Sequence, residues 1–386
     1  MLRKVLNTGP RLSNGVVRLI ASLAILLYMT MYWKASMFLP EFVFRDSGKI
    51  QSQIGGSSTY QDTSFDAVAK FYSSLGNIGT NLFVVGIGAL FIWLMFGYSK
   101  RLGGLLLNTV LIAPCVFFNL FVASKDTLVV LMSIALILIG RRWRVRNVIV
   151  AAVALYAGYA LTVRIYFALI LAIAIGAWIF RRASLRLKTV LILAVVAGLY
   201  MLPDAAYYVL LHPRDMAVDY LVAGSPYGAR TGFYNLLEPN SFAAFCVDYV
   251  YAILKLNIPV LFYPGPKEFL MLVFVWIAVG SVFGRTSDRV EGTGTGAIDV
   301  LASLVIGHMA VSMLFEPDLG SYIRHLSSVA LFCAWRLNYL GGRPGSWLRP
   351  GGRMRARRYM SCSDQKMLAC LNCLFRQSKA RAPRFS

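Results

Sequence analysis

Apolar runs of about twenty residues recur along this chain, separated by short polar stretches in which Lys and Arg gather. A hydrocarbon core about 30 Å thick takes about 20 helical residues per crossing. The runs are continuous rather than alternating, so the pattern predicts membrane-spanning helices and not a strand-built barrel. The first run covers about 17 to 38, and the next cover about 79 to 98 and about 104 to 123. A fourth ends at Arg141; two more cover about 147 to 162 and about 166 to 180, and a seventh ends at Pro203. The last three cover about 268 to 284, 297 to 315 and 326 to 340. The expected fold is all-α, a polytopic transmembrane helical bundle of about ten spans over residues 1–342.

Two longer stretches interrupt the pattern. Residues 38–78 carry Glu41, Arg45, Asp46, Lys49, Asp62, Asp66 and Lys70 around a centre rich in Gly and Ser. Residues 204–267 mix polar residues, Gly and Pro with short apolar runs, and read as a second large loop. Inside it, 241–263 is apolar but broken by Asp248, Lys255, Asn257 and Pro259. It reads as an interfacial or re-entrant helix, because counting it as a span reverses the side on which the later basic clusters fall.

Charge then gives sidedness. Arg3, Lys4, Arg11 and Arg18 precede the first run, and Lys100 with Arg101 follows the second. The sequence from Arg141 to Arg146 holds the densest basic group between runs, and Arg181, Arg182, Arg186 and Lys188 follow the sixth. With these clusters in the cytoplasm the two assignments agree, both termini are cytoplasmic and the two large loops lie outside. The mixed-charge loop 285–296 is expected inside. The tail 343–386, with eleven Lys or Arg and Asp364 alone as acid, is expected to be a disordered cytoplasmic segment whose charge serves orientation. It also offers basic groups to anionic headgroups or to a cytoplasmic partner.

Composition agrees with this picture. Of 386 residues 58% are hydrophobic, well above the share in a soluble domain. A net charge of +22 in a soluble protein would point to nucleic acid; here the basic residues sit at the ends of apolar runs, and no nucleic-acid partner is expected. Six cysteines scattered between spans and tail form no disulfide framework, and the Cys370/Cys373 pair has no histidine near it to complete a zinc set. No cofactor is expected. The first run lacks a small-residue cleavage site and reads as a spanning helix rather than a leader.

With this topology the outer ends of the helices carry ionisable groups that are costly at membrane depth unless paired or wet. Ser124, Lys125, Asp126 and Thr127 form a tight turn, Arg164 and Asp204 lie at two other turns, and Glu316 to His325 is a short acidic, aromatic and basic turn between two spans. Each has a structural reading: Asp126 as a helix cap, Arg164 as a snorkelling side chain, Asp204 as a terminus. Arg214 and Arg230 in the second loop offer bidentate donors to an anion or simple loop solvation. His308 lies inside an apolar run and reads as a hydrogen-bonded structural histidine. No nucleotide-binding loop, HExxH or GxSxG motif is present, which excludes ATP-driven transport and the familiar hydrolases.

The long polar stretch after the first helix, the Ser124-Lys125-Asp126 turn opening a helix, and the late Glu316 to Arg324 turn together resemble bacterial exopolysaccharide and O-antigen polymerase-type membrane proteins, neighbours of the lipid-sugar-dependent membrane glycosyltransferases. The resemblance covers the whole chain in layout and rests on few residues in motif. It departs from the larger membrane glycosyltransferases, whose first outer loop carries a paired acidic motif; here Asp62 and Asp66 are four apart, with Asp46 further back. It implies sugar transfer from polyprenyl-diphosphate-linked saccharides at the outer face of a bacterial inner membrane, among membrane lipids and other polysaccharide assembly proteins. In that chemistry Lys125, Arg164, Arg214, Arg230 and Arg324 are the candidates to hold the diphosphate without a metal. Asp126, Glu316, Asp318 and His325 are the candidate bases, and the sequence does not choose among them. The competing reading is a carrier or flippase for a lipid-linked saccharide or anionic solute, which needs charged groups in a cavity reached from both sides.

Overall fold

The computed structural model describes residues 2–341 apart from 58, 60, 62, 98, 225–229 and 284–292. Asp62, most of the 285–296 loop and the tail 343–386 with its three cysteines lie outside the described residues. Among those described, the chain is helical throughout, with no strand; a lone antiparallel bridge joins Arg11 to Arg101. The helices are α1 (Leu2–Leu6), α2 (Asn14–Trp33), α3 (Ala35–Phe38), α4 (Arg45–Ile54), α5 (Ser64–Gly97), α6 (Leu102–Cys115), α7 (Lys125–Arg142) and α8 (Val145–Thr162). They continue as α9 (Tyr166–Arg182), α10 (Leu185–Tyr200), α11 (Asp204–Gly224), α12 (Phe242–Asn257), α13 (Pro266–Phe283), α14 (Thr293–Phe315), α15 (Leu319–Ser328) and α16 (Ala330–Gly341).

Six of these helices are long and apolar enough to cross a membrane, and a seventh crossing is available if the bent pair α10–α11 counts as one. This is a multi-pass membrane protein. Their outward faces carry large apolar side chains, such as Leu19, Leu23 and Leu27 on α2 and Ile192, Leu193 and Val195 on α10, as lipid contact requires. The interior is filled chiefly by α14, α15, α16, α7 and the inward sides of α5, α6 and α9. Without a hydrophobic drive between helices inside lipid, close packing at small residues sets the contacts. One such contact is α9 on α14, where a Cβ added at Gly307 would lie 2.4 Å from the carbonyl oxygen of Ile170.

The helix limits follow the expected runs through the first seven, with three differences. α5 begins at Ser64, well before the expected 79, and is kinked at Gly76, whose φ of 66° and ψ of 173° are open to glycine at little cost. The stretch read as loop from 204 is helical to 224. Its polar residues mislead because Arg214 and Asp215 are accommodated by partners on neighbouring segments, and α11, which contains Pro213, turns 92° from α10. The Glu316 to His325 turn is mostly the helix α15, capped when the Asp318 carboxylate accepts the Ser321 N–H, and the last long helix starts only at 330.

The Pro114 ring breaks the ladder of α6, and the next five residues, Val116–Leu120, form one wide π turn. The carbonyls around that turn are taken up by side chains. Tyr28 donates to Leu120 O at 2.7 Å, and Thr127 Oγ1 donates to Asn119 O at 2.7 Å. The Asn119 amide reaches across to Arg324 O and Ser327 Oγ. Some of the basic residues flanking helices make contacts of their own: Arg336 pairs with Asp299, Arg181 donates to Val282 O, and the backbone of Lys100 accepts the Leu12 N–H. The acidic and basic residues of the 124–127 and 316–325 segments lie together elsewhere, against the start of α9.

Candidate functional site

Four chain segments bring the site together. The Ser124 hydroxyl caps α7 by accepting the Thr127 N–H, and the Thr127 hydroxyl accepts the Ser124 N–H in return, a complete capping box. Ser124, and not Asp126, is therefore the cap, and the Asp126 carboxylate is released for other partners. Its Oδ1 accepts from Arg164 Nη1 at 3.2 Å and its Oδ2 lies 3.3 Å from Arg324 Nε. Asp126 is 2% exposed, so these guanidiniums are what make its charge tolerable there.

Arg164 stands between α8 and α9, and its Nη1, with two hydrogens to give, has Asp126 Oδ1 at 3.2 Å, Tyr166 OH at 2.7 Å and His325 Nε2 at 2.9 Å within reach. A guanidinium can only donate, so Nε2 of His325 is the acceptor and the ring proton sits on Nδ1. That proton is donated to Glu316 Oε1. Glu316 thus orients His325 from the end of α14 while the ring's basic nitrogen faces Asp126 and Arg164. This supplies one half of a general-base arrangement, a carboxylate fixing the tautomer, while the other ring nitrogen is held by the Arg164 guanidinium and becomes basic toward a substrate only when Arg164 turns away.

Arg324 links the cluster to the first long loop. Its Nη1 bonds Asp46 Oδ2 at 2.9 Å from α4. Burial works against the charged forms here, but charge partners win. Asp46 is raised by burial yet held below the usual carboxylate range by Arg324 and then Lys125; Arg324 is lowered by burial yet pushed above its ordinary value by Asp46 and Asp126. Arg164 is lowered by burial and pushed well above its ordinary value by Tyr166 and Asp126. Lys125 points along α5: its ammonium donates to Ser64 Oγ at 3.1 Å and lies 3.4 Å from the centre of the Phe65 ring.

A small cavity of about 10 Å³, room for about one water, lies beside this group and is lined by Asp126, Arg164, Tyr166, Glu316, His325 and His308. His308 is buried and shares a hydrogen bond of 2.9 Å with Tyr156 OH, as a structural histidine should.

Of the candidate residues, Asp126, Arg164, Arg324, His325 and Glu316 converge, with Lys125 alongside. Asp318 is the cap of α15. Arg214 is fully buried, where it donates to Asn235 Oδ1 and to the carbonyls of Met313 and Leu314 at the end of α14. Arg230 pairs with Glu268. The structure keeps these three in bonds of their own rather than in the cluster. Two participants were not among the candidates drawn from the sequence. Tyr166 follows Arg164 closely and could have been flagged by that spacing; Asp46 lies 278 residues from its partner and left no local signal. No family model, curated protein or solved structure matches the chain.

Proposed function

We propose that this protein is a membrane glycosyltransferase of the polysaccharide-polymerase kind, acting on polyprenyl-diphosphate-linked saccharides at the outer face of a bacterial inner membrane. The observation that carries it is a histidine oriented by a buried carboxylate, Glu316–His325, beside two guanidiniums, Arg164 and Arg324, at one pocket. The topology that goes with it has about ten crossings, both termini in the cytoplasm and the 124–127 and 316–325 segments outside. The 241–263 segment is then a non-spanning helix.

In this reading Arg324, Arg164 and Lys125 hold the donor's diphosphate and stabilise the charge that grows on it as it leaves. His325 Nε2 takes the proton of the acceptor hydroxyl. The acceptor oxygen bonds to the anomeric carbon, the bond from that carbon to the phosphate oxygen breaks, and the lipid diphosphate departs with the electron pair. Asp126, paired to both guanidiniums, positions them and is a poor base; the choice among the four candidate bases falls on His325.

Alanine at Arg324, Glu316 and Lys125, made singly, should abolish polymer at normal protein level and leave single lipid-linked repeat units on the outer face. Repeat units accumulating on the inner face instead would replace this reading with that of a carrier. Cysteines introduced near Ser124 and Ser321 should label from outside; labelling only from the cytoplasm would overturn the sidedness.

A further inference from the structure

Two cations of the cluster, Arg324 and Lys125, are covered by the same piece of chain. Asp46 on α4 meets Arg324, while Ser64 and Phe65 at the start of α5 meet Lys125. α4 and residues 64–75 hold together through their own small apolar cluster of Ile50, Val68, Ala69 and Tyr72, separate from the main interior. That unit rests on the site's own turns, packing on Ala123, Leu128 and Val163, with Tyr72 OH donating to Ser124 O at 2.9 Å. It joins the rest of α5 at Gly76, the one break in that helix, where a glycine holds a positive φ.

Charge makes the cover selective. Asp46, Asp126 and Glu316 stand against Lys125, Arg164 and Arg324, three carboxylates facing three cations. The cluster as built has no surplus charge to offer an incoming anion. Asp126 and Glu316 are buried in bonds to Arg164, Arg324 and His325, whereas Asp46, 19% exposed against the 27% of Arg324, is the carboxylate nearest the surface. It also arrives on a short helix and not on a spanning one.

We propose that α4 and residues 64–75 form a cover, hinged at Gly76, over a diphosphate-binding seat made by Arg324 and Lys125, and that the Asp46 carboxylate occupies that seat until a diphosphate displaces it. Removal of Asp46 leaves the cluster one charge positive and bares the Nη1 of Arg324; movement of Ser64 and Phe65 bares Lys125. The proposal deepens the glycosyltransferase reading by placing the donor's diphosphate. The internal carboxylate lowers apparent affinity in proportion to the fraction of molecules with the seat open.

The test is binding to the full-length detergent-purified protein, by calorimetry, of inorganic pyrophosphate and of farnesyl diphosphate. Asp46→Asn should tighten binding about tenfold, the loss expected when the seat is open in about one molecule in ten. Tyr72→Phe, which loosens the cover without changing a charge, should tighten it by a smaller factor, and Arg324→Gln should remove it. Tighter binding of the farnesyl compound assigns the seat to a lipid-linked diphosphate, and equal binding to a soluble one. Asp46→Asn with unchanged or weaker binding overturns the proposal, as does absence of binding in every variant; should Asp46→Asn not fold, the same reading is made on Tyr72→Phe. Binding that responds to Asp46 without any polymer synthesis would defeat the sugar-transfer reading alone.

Discussion

Two buried arginines in this protein have opposite fates. Arg164 is surrounded by groups that carry or exchange charge: Asp126, His325 and the Tyr166 hydroxyl. Arg214 gives its hydrogen bonds to groups that cannot, the carbonyls of Met313 and Leu314 and the Asn235 amide oxygen, while the carboxylates near it, Asp215 and Asp248, are bonded elsewhere. Around Arg214, Asp215 accepts from the Asn235 backbone and side chain, and Asp248 accepts the N–H groups of Leu236 and Leu237. That knot closes the last carbonyls of α14 and fixes the 233–240 stretch between α11 and α12, so its charges serve architecture. The lesson is that burial of an arginine does not mark a site. What marks one is that its partners are themselves charged, mutually oriented and beside a pocket.

The comparison can be broken in several ways. The largest effect is expected at Asp126→Ala, which strips two facing guanidiniums of their shared carboxylate and should cost about 3–5 kcal/mol. Thermal unfolding in detergent reads it, and loss below 1 kcal/mol would mean the cluster is wetter than its burial implies. Arg214→Met should cost about 2–3 kcal/mol through the lost charge-assisted bonds. It should also speed protease nicking within 233–240 while activity per folded molecule stays unchanged; a specific activity loss would move Arg214 back into the site. Asp248→Asn keeps one acceptor for the two N–H groups, and about 1–2 kcal/mol is expected, seen as faster amide exchange at Leu236 and Leu237.

The smallest effect concerns pH. Asp46 has a folded value below its ordinary one, so the stability it lends to the seating of α4 is complete above the ordinary carboxylate range and is lost as pH falls through the depressed value. Since the Asp46–Arg324 pair is partly exposed, about 1 kcal/mol is at stake. Amide-exchange protection factors in α4, corrected for the intrinsic pH dependence of exchange, should fall on acidification, and Asp46→Asn should abolish that dependence.

How much of this could be read from the residues alone varies with the interaction involved. Most spans were legible because lipid demands continuous apolar surface, and the basic clusters marked most of their ends. The Ser124 to Asp126 turn was legible as a place, although the structural reading offered for it made Asp126 the cap, a role that Ser124 fills. α11 was not legible: Arg214 and Asp215 on its buried side look like loop residues until Asn235 and the end of α14 supply their partners. The convergence of Asp46, Asp126, Arg164 and Arg324 was legible only as a list of charges, because the contacts that unite them span 38 to 278 positions of sequence.

The wide turn at Val116–Leu120 has a mechanical consequence. The Asn119 carbonyl receives Thr127, which fixes where α7 begins, and the Asn119 amide holds Arg324 O and Ser327 Oγ, which fixes where α15 lies. One residue at a defect in one helix thus acts as the common datum for Asp126 and Arg324. The spacing of acid and guanidinium is gauged from a single point, and a displacement of α6 carries both groups together instead of pulling them apart.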